Sequence, residues 1–264
     1  YNTSKEPPSF MDQKIDQVAR LAAKAGKIVV FTGAGISTES GIPDFRGPGG
    51  LWTKYDPDDF TIDQFLGSHA TRKKMWRRLR EGGLMEDAQS NAAHYAVVEL
   101  EKMGKLLSLV TQNVDNLHQK AGSSPALIRE LHGNMQRLVC LNCRESYPIA
   151  VVQEKYAGSD DAPTCDYCRG ILKPDVIFFG EALPQHALAQ AMREAESCDL
   201  MIVIGSSLVV YPAAYVPVHA KQSGADLVII NRGETEQDHL ADVRIDAPAG
   251  EVMTKILNRL KTEG

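Results

Sequence analysis

The sequence predicts an α/β protein: a doubly wound, parallel, Rossmann-like sheet with a small inserted zinc-ribbon module and a helical insertion. Three observations carry that prediction. Short β-rich apolar runs alternate with stretches of helical periodicity. The first run leads into a Gly-rich turn, Gly33-Ala34-Gly35-Ile36-Ser37. Four cysteines fall as two Cys-x-x-Cys pairs, Cys140/Cys143 and Cys165/Cys168, the spacing of a four-thiolate zinc site.

The elements follow in order. From Asp12 to Ala25, Ile15, Val18, Leu21, Ala22 and Ala25 repeat at helical spacing, and Gly26 ends the helix. Lys27–Thr32 is a continuous β-rich run, the pattern of a strand buried on both faces. A helical pattern over 88–103 precedes a second such strand, Leu106–Thr111. Helices over 186–196 and 212–223 bracket a third, Leu200–Ile204, and a fourth is Leu227–Ile230. Asp175–Phe179 and Val243–Ile245 are shorter candidates, and a last helix covers 250–261.

Two stretches break the rhythm. Residues 52–87 are helical and charged around Arg72-Lys73-Lys74-Met75-Trp76-Arg77-Arg78, read here as a solvated helix face. Residues 137–170 carry the cysteines. The expected organisation is a tail over 1–10, with Met11 as the natural start, and a nucleotide-binding domain built from 11–51, 88–136 and 171–264. The insertions 52–87 and 137–170 form a small domain.

Composition narrows the function. The 264 residues are 43% hydrophobic, enough for a sizeable core. A net charge of −5 argues against sequence-independent DNA binding and is compatible with a basic, lysine-bearing substrate. With four of five cysteines given to metal and Cys198 read as a small buried residue, no disulfide framework remains, which predicts a reducing, cytoplasmic setting. No apolar run approaches the ~18 residues of a membrane span, and the polar start has no signal-peptide pattern. Asn2-Thr3-Ser4 matches a glycosylation acceptor by chance.

A strand followed by Gly-x-Gly at a helix start is an anion site. The third glycine of the dinucleotide fingerprint is replaced by Thr38, and Thr38–Gly47 reads as a polar loop, so a dinucleotide is expected to bind in a non-standard way. Within that loop Asp44 and Arg46 flank Phe45. The aromatic could cover a planar ring, or the loop could hold a local ion pair; both readings stay open. The ends of the other strands carry Gln112-Asn113-Val114-Asp115, Gly205-Ser206-Ser207 and Asn231-Arg232, side chains suited to ribose and phosphate. A histidine suits general-base work, yet spacing alone does not choose among His69, His94, His118, His132, His186, His219 and His239.

Taken together, these segments with Gly41–Arg46, Leu131-His132-Gly133, Phe178-Phe179-Gly180-Glu181 and Leu208 resemble the sirtuins, the NAD-dependent protein lysine deacylases, from about Asp12 to the end. The order and spacing look most like those of bacterial and archaeal members. The resemblance implies that Gly33, Ala34, Gly35 and Ser37 hold the NAD pyrophosphate end. Asp44, Phe45 and Arg46 would lie by the nicotinamide, and Gln112, Asn113 and Asp115 by its ribose. Gly205, Ser206, Ser207, Asn231, Arg232 and Ala249 would take the adenosine half. It makes His132 the general base, with Asn113 and Asp115 as catalytic partners. It threads an acyl-lysine peptide past Val176, Phe178, Phe179, Gly180, Glu181, Leu208 and Val209.

The implied chemistry is attack of the acyl oxygen on the ribose carbon as nicotinamide leaves. His132 then deprotonates a ribose hydroxyl that captures the imidate, and water releases lysine and O-acyl-ADP-ribose. NAD is consumed. One zinc ion on Cys140, Cys143, Cys165 and Cys168 would be structural. The alternatives on this scaffold are mono-ADP-ribosyl transfer and long-chain deacylation. The expected partners are acyl-lysine proteins, with no nucleic acid, no membrane and a monomeric chain. Two departures stand out. The Tyr-x-x-Arg pair of succinyl- and malonyl-preferring members has no tyrosine here, leaving Arg77 or Arg80 as the available cation and predicting neutral acyl groups. Asn91-Ala92-Ala93-His94 replaces the commoner Asn-Pro-Ala-His, a change read as structural.

Overall fold

The computed structural model describes residues 9–45, 47, 49–80, 87–159 and 161–263. Most of the expected tail, Arg46, and residues 81–86 of the charged insertion lie outside them. Helix α1 (Phe10–Lys24) starts two residues before its expected position, because the Ser9 hydroxyl accepts the Asp12 N–H and caps it. Strand β1 (Ile28–Thr32) follows, with all five residues buried. Helices α2 (Ile62–Gly67), α3 (His69–Arg80) and α4 (Ala92–Lys102) lead to β2 (Leu106–Thr111). A short helix α5 (Leu117–Ala121) precedes β3 (Ile128–Glu130). Strands β4 (Gly133–Cys140) and β5 (Ser146–Pro148), helix α6 (Ile149–Lys155) and strand β6 (Leu172–Val176) carry the cysteine segment. Helix α7 (Gln185–Ser197), β7 (Leu200–Ile204), α8 (Tyr215–Gln222), β8 (Asp226–Ile230), β9 (Val243–Ile245) and α9 (Ala249–Glu263) complete the chain.

Six strands form one parallel sheet in the order β3-β2-β1-β7-β8-β9. Both faces are covered, which is why the central strands read as unbroken apolar runs. Ile28 and Val30 of β1 face α1, α4 and α9 through Ile15, Val18, Val97, Leu100 and Ile256. Val29 and Phe31 face α7 and α8 through Ala191, Ala195, Val216 and Ala220. Strand order reverses between β1 and β7, so a crevice opens beyond their C-terminal ends.

The expectation for Asp175–Phe179 needs correction. The strand is Leu172–Val176, and it does not join the parallel sheet. It pairs antiparallel with β4, Leu138 opposite Pro174, in a separate sheet of order β5-β4-β6. That sheet has its own core, where Trp76 of α3 meets Leu138, Ile149, Val152 and Leu172. The two insertions are thus packed on each other. An isolated bridge from Thr61 to Phe179 ties the first insertion to the chain just past β6.

Helix α4 begins with a reciprocal cap: Asn91 accepts the Ala93 N–H at 2.9 Å, and His94 Nδ1 accepts the Asn91 N–H at 3.3 Å. His94 is fully buried, and burial pushes its pKa down to about 4. Burial likewise holds His118 well below its ordinary range. Both are neutral in the fold and titrate normally when unfolded. Their contribution is complete above the unfolded pKa of about 6.5 and is lost as pH falls toward 4. For His94 alone the loss is about 3 kcal/mol. Urea midpoints taken from pH 7 to pH 4.5 should therefore decline steadily, and a flat profile would contradict the assignment.

Candidate active site

A cleft of about 1030 Å³ lies over the ends of β1, β2, β7 and β8 and runs out under the small sheet. At its floor, β1 turns sharply at Gly33 into a 3₁₀ helix, Ala34–Ser40. The loop expected from Thr38 therefore begins three residues later, at Gly41, whose φ of 85° ends the helix. The two glycines do not aim their N–H groups outward as expected of an anion cradle. Gly33 N–H donates to Ile204 O and Gly35 N–H to Gly205 O. Their role is close approach: a Cβ on Gly35 would lie 2.7 Å from Gly205 Cα, and one on Gly33 2.7 Å from Gly205 O. Gly33, Ala34 and Ser37 line the cleft, while Gly35 and Gly205 are packed behind it.

Asn113 and Asp115, in the loop beyond β2, both reach Ser37. Asn113 Nδ2 donates to Gly33 O at 3.1 Å and to Ser37 Oγ at 3.3 Å. The Ser37 hydroxyl donates to Asp115 Oδ2 at 2.7 Å, and Asp115 Oδ1 accepts the Leu117 N–H that opens α5. Burial raises the Asp115 pKa, opposed by those two donors. Gln112 Nε2 donates to Ser206 Oγ at 2.9 Å, tying the end of β2 to the end of β7.

His132 lies between β3 and β4, and its ring faces this cleft. Nδ1 lies 3.0 Å from Gln112 O. A carbonyl only accepts, so the network places the proton on Nδ1 and leaves Nε2 a bare lone pair. Burial lowers the His132 pKa, and the carbonyl bond raises it by less. The ring is neutral near pH 7. Gly133, next in sequence, has φ 78°, and a Cβ there would fall 2.0 Å from Asp175 O, so β4 can lie this close to β6 only with glycine.

On the far wall, Asp44 accepts the Gly47 N–H at 2.7 Å, and Phe45 packs 5.2 Å from Trp52. The Asp44/Arg46 ion pair falls outside the described residues. Asn231 and Arg232 line the rim of the cleft with Ser206 and Ser207. Ala249 is buried and does not reach the cleft. The N terminus of its helix is taken by Glu39, which accepts the Gly250 N–H at 2.8 Å.

Val176, Phe178, Phe179, Gly180, Glu181, Leu208 and Val209 all border the cleft. Much of that main chain is already bonded. Ile177 N–H donates to His132 O, Phe179 pairs with Phe60 and Ile62 through both its groups, and Phe178 N–H donates to the Glu181 carboxylate. Lys173, itself buried, holds Glu181 at 3.0 Å.

Of the α3 arginines, Arg78 is the one that borders the cleft. Arg80 instead borders a separate small hollow, and Arg77 is not among the lining residues. Arg78 stands 4.8 Å above the Tyr55 ring and 3.0 Å from Asp59, which also takes Lys74. Tyr55 and Phe60, with Trp52, make an aromatic wall that no single sequence motif announces.

Away from the cleft the four cysteine sulfurs lie within 4.8 Å of one another. Cys140 and Cys168 are 3.5 Å apart, Cys143 and Cys165 3.6 Å. Four thiolates at about 2.3 Å from one zinc would be about 3.8 Å apart, so the set fits a single tetrahedral ion. The knuckles repeat one turn: Arg144 N–H donates to Cys140 O and Arg169 N–H to Cys165 O, both arginines at positive φ.

Three comparisons bear on this arrangement. The Sir2 family model matches residues 33–212. NAD-dependent protein deacylase 2 of Archaeoglobus fulgidus is 46% identical over 95% of this chain and 98% of its own length. Two solved structures superpose along nearly the whole chain. One, a Sir2 complex with a p53 peptide and NAD+, has a TM-score of 0.84 at 39% identity over 93% of this chain and 98% of that one. The other, with a deacetylated p53 peptide and 3'-O-acetyl ADP-ribose, has a TM-score of 0.85 at 40% identity over 92% and 97%.

Proposed function

Because this chain belongs to the Sir2 family, we propose that it is an NAD-dependent protein lysine deacylase. The observation that carries this reading is the proton-free Nε2 of His132 in the same cleft as the Asn113–Ser37–Asp115 cluster and the Gly33 turn. NAD supplies an activated ribose carbon: its bond to nicotinamide breaks as the acyl oxygen attacks, and the acyl group ends on ADP-ribose. The residues around it bind, orient and move one proton. Ala34 at the first helical position and Ser37 serve the pyrophosphate end, with Gly33 and Gly35 allowing the close packing behind it. Gln112, Asn113 and Asp115 orient the nicotinamide ribose, and Asp44 and Phe45 border the nicotinamide. Ser206, Ser207, Asn231 and Arg232 frame the adenosine half, with Gly205 packed behind them. His132 takes the ribose hydroxyl proton on Nε2.

The acyl-lysine peptide enters between Gly180 and Val209, since the neighbouring main chain on the Phe178–Phe179 side is already paired. Asp59 answers the charge of Arg78, which supports neutral acyl groups over dicarboxylic ones. Cys140, Cys143, Cys165 and Cys168 hold one structural zinc, and four thiolates leave no position for substrate. Helices α2 and α3 and the β5-β4-β6 sheet with its cysteine knuckles form the small domain that roofs the cleft. Among the described residues no helix is long and apolar enough to cross a membrane. Reduced zinc thiolates support a cytoplasmic setting, and we read the chain as acting singly.

Mass spectrometry of an acetyl-lysine peptide incubated with the protein tests the proposal. The expected result is acetyl loss that requires NAD and yields O-acetyl-ADP-ribose. A peptide that gains the mass of ADP-ribose and keeps its acetyl group would overturn it.

A further inference from the structure

Two neutral histidines lie buried behind the active site, and the chemistry above uses neither. His94 is 0% exposed and His118 2%. Their rings meet at 4.8 Å, inclined by 60°. His94 Nδ1 accepts the Asn91 N–H, so its proton is on Nε2. His118 Nε2 is 3.0 Å from the Thr32 hydroxyl. That hydroxyl donates to Thr111 Oγ1 at 2.8 Å, so it accepts from His118, and His118 Nδ1 is left as a lone pair. Among the described residues, His94 Nε2 and His118 Nδ1 are the unpartnered atoms of the two rings. One is a donor and the other an acceptor, complementary across the ring contact.

The chain of bonds does not stop at the threonines. Thr32 and Thr111 are the last residues of β1 and β2, directly paired in register and both buried. Valine would fill either place without a hydroxyl to satisfy, and a buried hydroxyl is costly unless bonded. Thr111 Oγ1 also accepts the Asn113 N–H at 3.0 Å. Asn113 then reaches Gly33 and Ser37 with its carboxamide nitrogen. From the other side, Asn91, which starts the helix bearing His94, donates to Ile36 O at 2.7 Å and to Ser40 Oγ at 2.9 Å. Both ends of this buried line therefore grip the glycine turn.

We propose that His94 and His118, acting through Thr32 and Thr111, are positioning residues that set the backbone of Asn113 and thereby the ribose end of the NAD site. The inference rests on the deacylase reading for Asn113 but not for the bonds themselves. Asn91-Ala92-Ala93-His94 is then more than a helix start: it is the outer anchor of that line.

Thr32→Val keeps the shape and removes the hydroxyl between His118 and Thr111, whereas Thr32→Ser keeps the hydroxyl. The expected result for Thr32→Val is a loss of about tenfold in kcat/KM for NAD with peptide KM unchanged. NAD affinity by calorimetry should weaken, and hydrogen exchange at the Asn113 amide should speed up. Thr32→Ser should restore all three, and His118→Gln, which keeps a donor toward Thr32, should stand closer to wild type than His118→Leu. A folded Thr32→Val protein with wild-type NAD affinity, kcat/KM and Asn113 exchange overturns the inference. If the wild-type protein fails to deacylate at all, the function reading falls, while NAD affinity and Asn113 exchange still decide the positioning role.

Discussion

Replacing His132 with alanine is expected to lower kcat for NAD-dependent deacylation by a factor on the order of 10² to 10⁴, with the fold retained. The size follows from what the ring does. Gln112 O fixes the proton on Nδ1, and no protein group needs to move before Nε2 accepts one. Burial lowers the His132 pKa, so the base form dominates at neutral pH. The acid limb of kcat/KM should therefore have its midpoint below the ordinary histidine value of about 6.5, and the variant should lose that limb. NAD affinity should stay near wild type, because the ring supports catalysis more than the pyrophosphate contacts. Turnover by the variant at the wild-type rate would remove His132 from the mechanism.

Stripping the zinc, by a strong chelator or by Cys140→Ser, is expected to melt the cysteine module while the parallel sheet survives. Structural zinc contributes about 10 to 16 kcal/mol in small zinc-finger peptides. Here the module also has a core of Trp76, Leu138, Ile149, Val152 and Leu172, which is small and separate from the two large clusters against the sheet. Cys140 and Cys165 are part of that small core, so losing the metal opens it from within. The chain has two tryptophans. Trp76 is in the module core, and Trp52 stands in the aromatic wall beside Phe60 and Phe179. Tryptophan emission should shift red on metal loss while far-ultraviolet circular dichroism keeps most of its helical signal, and added Zn²⁺ should reverse the shift. Stoichiometric removal of zinc with unchanged emission would show that the thiolates do not hold the module together.

What could be read from the residues depended on how local its cause was. β1, β2, β7 and β8 are buried on both faces, so their apolar runs announce them without reference to anything distant. The cysteine pairs needed only spacing. The strand at β6 was misplaced because Lys173, Pro174 and Asp175 carry no apolar alternation, and its place depends on β4 across the module. The glycine turn was legible as a nucleotide feature, but the inward direction of its N–H groups depends on Gly205, which is far away in sequence. Arg78 was passed over for its neighbours since only the packing of α3 against Tyr55 and Asp59 decides which arginine faces the cleft. His132 was singled out by the family resemblance rather than by its spacing. Its carbonyl partner, twenty residues back, supplies the physical reason.

The contact between Glu39 and Gly250 joins residues 211 positions apart. A ribosome adding about 5 to 20 residues per second needs roughly 10 to 40 s to travel between them. Through that interval the glycine turn is without the helix that braces it, and β1 spends most of it without β7 alongside. The cleft is therefore complete only once α9 has been made. A nascent chain halted before α9 would carry every residue of the glycine turn and still lack the strut that holds it.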